Sequence, residues 1–191
     1  MKFFDSYFRE SSRVLLDCEK HSSKIEQLAI TMWQTLKEGG SIYWMGNGGS
    51  ASDAEHLAAE LAGRFKNDRQ PLSSYALTSN SSLITAIAND YGYEQVFSRQ
   101  VLAYLKPGDL IVGITTSGNS TNVLKALTEA KDLGAKTCIL TGLKNNFDVE
   151  YDFVINVNSS DTCHIQEAHI AVGQSICGYI EEKVIFEKGL A

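Results

Sequence analysis

The chain has 191 residues, 43% of them hydrophobic and 21% charged, a balance that suits one globular domain with a full core. Its net charge of −6 argues against a nucleic-acid or membrane-surface partner, either of which needs a basic face. No segment approaches the ~20 apolar residues of a membrane span, MKFFDSYFRESS lacks a signal peptide's apolar run, and Cys18, Cys138, Cys163 and Cys177 form no CxxC pair. Reduced cysteines in a cytoplasmic protein are therefore expected, rather than a disulfide framework or a structural zinc site.

Residues 3–38 read as helical throughout. Leu15, Leu16, Ile25, Leu28, Ala29, Met32, Trp33 and Leu36 recur at helical spacing, and Gly39-Gly40 ends the run. So much helix ahead of the first strand exceeds what one face against a sheet needs; oligomer packing is a use for it, and a simple cover over the core is the plainer one. SIYWMG (41–46) is the first predicted strand, followed by a helix over 53–65. SSYALT (73–78) is a strand and 82–89 a helix; DLIVGIT (109–115) is a strand and 122–133 a helix closed by Gly134. KTCILTG (136–142) and FVINVN (153–158) are strands, and 163–186 is a long last helix. Short apolar strands alternating with helices predict a parallel sheet covered on both faces. No linker divides the chain, so 1–191 is read as one domain, with a helical segment at 1–40 and an αβα core at 41–191.

Two strand-to-helix junctions carry chemistry, since parallel sheets bind ligands at the carboxyl ends of their strands. In GNGGSASDAEH (46–56), Gly48 and Gly49 let the backbone pass close to a ligand, and Ser50 and Ser52 are N-cap candidates. The glycine spacing fits neither a Walker loop nor a GxGxxG fingerprint. In TTSGNST (115–121), Thr115, Thr116, Ser117, Ser120 and Thr121 surround Gly118. Hydroxyls and free N–H groups at a helix N-terminus hold a phosphate dianion without Lys or Arg. Either loop alone reads as an ordinary cap; two in one sheet point to a phosphate or phosphosugar site.

Along the helix DAEHLAAELAGRF, His56 and Glu60 share a face at i, i+4, with Asp53 a turn before and Arg64 a turn beyond. A solvated polar pair is the plain reading, but beneath a phosphate loop Glu60 becomes a candidate general base, and His56 with Glu60 a candidate metal pair. Arg64 suits a contact to an anionic substrate. Asn89-Asp90 reads as a helix-closing turn, with Asp90 available to sugar hydroxyls. In the last helix, Gln166 lies about 80° from Gln174 and about 60° from His169, so all three can border one cleft. His21 and His164 are expected at the surface. Cys163 and His164, about 100° apart on a helix, are not expected to form a thiol–imidazole pair.

These loops, together with AELAGRF, ANDYGYE, FSRQV, PGD and IQEAHI, resemble the phosphoheptose isomerases from about Ile42 to Glu182. Those are sugar-isomerase (SIS) domain enzymes that convert sedoheptulose 7-phosphate to D-glycero-D-manno-heptose 7-phosphate, a heptose precursor. The resemblance implies a flavodoxin-like three-layer αβα sandwich around a five-stranded parallel sheet. It also implies a homotetramer with the N-terminal helix between subunits and active sites at their interfaces. Carried over, Ser50, Thr115, Ser117 and Ser120 fall at phosphate-binding positions with Thr116 beside them, in loops that include Gly48 and Gly49. Asn47, Asp90 (with Asn89 beside it) and Gln166 fall at substrate contacts, and Arg64 falls in a motif slot. Glu60 falls at the catalytic base of a cis-enediol mechanism. Zinc, where present in the family, is held at the positions of His56, Glu60 and Gln166 and by a histidine at position 174. This chain has Gln174 there. An amide does not titrate near neutral pH, so Gln174 cannot move a proton; it can hold a carbonyl oxygen or ligate a metal weakly. The missing histidine leaves a non-catalytic phosphosugar sensor, or an adaptor like the replication-initiator-binding relatives, as the alternative.

Overall fold

Five short apolar runs, each closed by glycine or a polar turn, become the strands of one sheet. In the computed structural model, which describes residues 2–143 and 146–187, these are β1 (Ile42–Gly46), β2 (Ser74–Ala76), β3 (Leu110–Thr115), β4 (Lys136–Thr141) and β5 (Phe153–Asn156). All neighbours are parallel, in the order β2-β1-β3-β4-β5. The register sets Ile42 beside both Ser74 and Leu110, Leu110 beside Lys136, and Cys138 beside Phe153. Every residue of β1 and β3 is buried, which is why both read as unbroken apolar runs instead of alternating ones.

The helices are α1 (Lys2–Asp17), α2 (Ser22–Lys37), α3 (Gly49–Ala62), α4 (Ser81–Tyr91), α5 (Ser98–Tyr104), α6 (Thr121–Asp132) and α7 (Thr162–Glu187). Strand residues one apart point to opposite faces, and the core divides accordingly. Ile42, Trp44, Val112, Ile114 and Leu140 pack with Leu28, Met32, Leu57, Leu61, Ile176 and Ile180 of α2, α3 and α7. Tyr43, Met45, Ile111 and Ile139 pack on the other side with Ile87, Val101, Val123 and Leu127 of α4, α5 and α6. The result is the three-layer sandwich around a five-stranded parallel sheet, with α1 added outside α7 through Val14, Ile165 and Ala168. α3 approaches α7 so closely that a Cβ on Gly173 would meet Leu57 Cδ1 at 2.4 Å.

Several boundaries differ from the sequence reading. The run at 3–38 breaks at a 3₁₀ turn, Cys18–His21: α1 packs on the start of α7 through Ile165 and Ala168, while α2 packs on α7 farther along and on β1 and β5. No Gly or Pro marks that break. α5 and a 3₁₀ turn at Tyr93–Gln95 fall in a stretch without a predicted element. α3 begins at Gly49 with Gly48 as its N-cap, so Ser50 and Ser52 lie in its first turn and do not cap it.

Candidate active site

In a sheet of this order the chain leaves β1 and β3 in opposite directions, and their outgoing loops part to form a crevice. The β1 loop brings Asn47 and Gly48 to one side of it, and the β3 loop brings Thr116 to Ser120 to the other. The two sides are tied together. Asn47 Nδ2 donates to Asn122 Oδ1 and Asn122 Nδ2 donates to Asn47 Oδ1, both at 2.9 Å. The Tyr93 hydroxyl adds a third bond, to Asn47 Oδ1 at 3.0 Å. Asn122 is buried and its Oδ1 also accepts the Val123 N–H, so the amide pair is anchored at the start of α6.

The predicted phosphate positions stand on both sides of this tie. Ser50 is buried in the first turn of α3, its N–H bonded to the Asn47 carbonyl at 3.1 Å. Thr115 Oγ1 lies 2.8 Å from Ser120 Oγ and 3.5 Å from Ser117 Oγ, and Ser117 Oγ accepts the Asn119 N–H. The Thr116 carbonyl accepts the Gly142 N–H at 3.1 Å, which fastens the loop to the end of β4. Two helix N-termini and a hydroxyl cluster thus share one crevice, the arrangement that favours a dianion. Gln166 reaches the same place from α7. A Cβ on Gly49 would lie 2.5 Å from Gln166 Nε2, so only glycine leaves room for that amide.

Farther along α3, His56 Nε2 lies 2.9 Å from Glu60 Oε1, with side chains 49% and 17% exposed. Asp53 is half-buried one turn earlier. Burial pushes its carboxyl up from an ordinary 3.8 to about 6 against the opposing pull of His56, and its Oδ2 has no partner among the described residues. His56 and Glu60 supply an imidazole nitrogen and a carboxylate oxygen of the kind a divalent ion takes, so this part of the predicted metal set fits. Gln166 and Gln174 would contribute neutral amide oxygens only. Gln174 is half-buried in a shallow cavity with Phe65, Lys66, Ser175 and Gly178, about 12 Å along the helix axis from Gln166. None of the described contacts joins it to the His56–Glu60 pair.

The remaining predicted residues are exposed. Arg64 Nη1 reaches the Lys66 carbonyl at 3.5 Å. Asn89 Nδ2 donates to Asp90 Oδ1 at 2.8 Å near the end of α4. Two histidines differ from the sequence reading. His169 does not border the crevice; it is buried with Nε2 against the Thr141 carbonyl at 3.1 Å, and burial pushes its pKa down to about 4. His164 is not at the surface, because α1 covers it: it is 4% exposed, with the Tyr7 ring 4.7 Å away.

Sequence reasoning also missed the brace behind α3. Arg69 donates to the carbonyls of Glu60, Leu61, Gly63 and Gln70 at 2.6–3.0 Å, closing the end of α3. Glu181 of α7 accepts the N–H groups of Phe65, Lys66 and Asn67 at 3.0–3.2 Å. Burial acts to raise the Glu181 pKa, but the N–H groups of Asn67, Lys66 and Phe65 hold it below the usual range. The available signals were a cation just past a helix end and an acid on the apolar stripe of Cys177, Ile180 and Val184.

The SIS domain family model matches residues 6–142. A phosphoheptose isomerase of Aquifex aeolicus is 48% identical over 93% of this chain and 94% of its own length. One from Aliarcobacter butzleri is 45% identical over 96% of each. The solved structure of a phosphoheptose isomerase from Neisseria gonorrhoeae superposes with a TM-score of 0.88 at 39% identity, covering 95% of this chain and 98% of that one.

Proposed function

Because this chain belongs to the SIS-domain family, as an isomerase of the phosphoheptose type, we propose that it interconverts sedoheptulose 7-phosphate and D-glycero-D-manno-heptose 7-phosphate for heptose precursor synthesis. The observation that carries this reading is the crevice itself. Hydroxyl loops from β1 and β3 face each other across the Asn47–Asn122 tie, with Glu60 farther along the helix that one of them opens.

In this mechanism Ser50, Thr115, Thr116, Ser117 and Ser120, with the backbone of Gly48 and Gly49, hold the phosphate. Asn47, Asn89, Asp90, Gln166 and Arg64 orient the sugar. Glu60 removes the proton alpha to the carbonyl and returns it to the neighbouring carbon through a cis-enediol, while the hydroxyl proton leaves O1 and O2 gains one by exchange with water; the Glu60 role is worth typically ~10²–10⁴-fold. His56, bonded to Glu60, holds the carboxylate in place. Gln174 is confined to hydrogen bonding or weak ligation. A zinc ion held by His56 and Glu60, with the amide oxygen of Gln166, would supply Lewis-acid polarisation of the carbonyl.

The chain is further proposed to act as a cytoplasmic homotetramer with neither nucleic acid nor membrane as partner. No helix among the described residues is long and apolar enough to cross a membrane. Its four cysteines are free. Phe3, Phe4, Phe8 and Leu16 of α1 are at least 65% exposed, an apolar face that supports residues 1–40 as the oligomerisation segment. The test is product formation from sedoheptulose 7-phosphate, with and without chelator and added zinc. Glu60→Gln is expected to lose at least ~100-fold in kcat; full turnover by that variant sinks the mechanism.

A further inference from the structure

At the start of α7, three ligand types converge. Asp161 stands just ahead of the helix. Its Oδ1 accepts the Cys163 N–H at 3.2 Å and the Cys163 thiol at 3.1 Å. The Asp161 carboxylate, the Cys163 sulfur and a His164 ring nitrogen all lie within 4.8 Å of one another, the one such group of three His, Cys, Asp or Glu among the described residues. The rule that helical neighbours diverge by about 100° does not prevent this, because Asp161 precedes the first turn and its carboxylate folds back over it. Cys163 and His164 share no hydrogen bond among the described residues; the thiol is bonded to Asp161 and the imidazole to Glu167.

The surroundings are those of a held ligand. His164 is 4% exposed, its Nδ1 lies 3.0 Å from Glu167 Oε2, and the Tyr7 ring packs on it at 4.7 Å. The other Glu167 oxygen accepts the Tyr7 hydroxyl at 2.5 Å. A carboxylate that orients a ligating imidazole in this way is the usual outer partner of a metal-bound histidine. Asp161 is exposed and Cys163 partly so, which leaves an entry path from solvent. Around the helix His164 lies about 160° from Gln166 and Cys163 about 60° from it, so the cluster reaches from the side of α7 covered by α1 toward the crevice.

We propose that Asp161, Cys163 and His164 form a second metal site, for a thiophilic divalent ion of the zinc type, with Glu167 as the positioning residue for His164. Sulfur, nitrogen and oxygen donors in one set select zinc over magnesium or calcium, and three protein ligands leave a fourth position for water. On binding, the Cys163 thiol gives its proton to solvent and the imidazole binds in its neutral form. Since Glu167 and His164 both touch Tyr7, the bound ion fastens α1 against α7.

Cobalt(II), added to the chelator-stripped full chain, is the probe. Thiolate-to-cobalt charge-transfer absorption is expected at one equivalent per chain and is displaced by zinc; the sulfur-free set around Glu60 cannot produce it. C163S is expected to abolish the band while retaining its far-UV circular dichroism, and E60Q and C18S to keep the band. E167Q is expected to weaken cobalt affinity ~10–100-fold. D161N, at an exposed position, is expected to weaken it as well. Zinc should raise the Tm of E60Q and not that of E60Q/C163S. Absence of the band, its persistence in C163S or its loss in C18S would overturn the site.

Discussion

Arg69→Met tests whether the loop after α3, which carries Arg64, is held by a buried cation. The Arg69 side chain is 0% exposed and that of Glu181 3%, with Nε 3.7 Å from Glu181 Oε1. The guanidinium satisfies the carbonyls of Glu60, Leu61, Gly63 and Gln70, which include acceptors that a helix end otherwise leaves open. Methionine fills much of the space and donates nothing. Removing one partner of a buried ion pair costs about 3–5 kcal/mol. Glu181 keeps its backbone N–H partners, which places the expected loss in the lower part of that range, about 3–4 kcal/mol. In a chain of this size each kcal/mol lowers Tm by about 2–4 °C, so the variant should melt about 6–16 °C below wild type. Urea unfolding followed by circular dichroism should show a lower midpoint at unchanged slope. A loss below about 1 kcal/mol, the worth of an exposed pair, would refute the argument.

Three further predictions concern the site. Asp53 binds its proton more tightly folded than unfolded, so its contribution to stability falls as pH rises from about 4 through about 6 and is constant above. The unfolding free energy of wild type minus that of Asp53→Asn should decline across that window; a flat difference contradicts the shift. Asn122→Ala removes two hydrogen bonds from Asn47, each worth about 0.5–1.5 kcal/mol, so kcat/KM should drop roughly ten-fold in steady-state kinetics. Wild-type kinetics would show that the tie does not position Asn47. Gly49→Ala puts a methyl group 2.5 Å from Gln166 Nε2, and kcat/KM should fall while Tm changes little, because the displaced amide lies at the crevice and not in the core. An unchanged kcat/KM would remove Gln166 from the site.

What the sequence determined by itself is local. Apolar runs bounded by glycine and polar turns specify the five strands, and hydroxyls at strand ends specify where a phosphate group can sit. The i, i+4 spacing of His56 and Glu60 alone predicts that they meet, and at 2.9 Å they do. The tertiary structure decided everything that joins distant segments. Asn47 and Asn122 meet because β1 and β3 are neighbours in the sheet, although β2 separates them in the chain. Arg69 and Glu181 meet because α3 and α7 pack on one face of the sheet. His164 is buried because α1 folds back over α7 and sets the Tyr7 ring 4.7 Å from it. Periodicity records which face of an element is apolar; it does not record which other element will cover that face. Strand order supplies that partner, and with it the polar pairs that build the crevice and its brace.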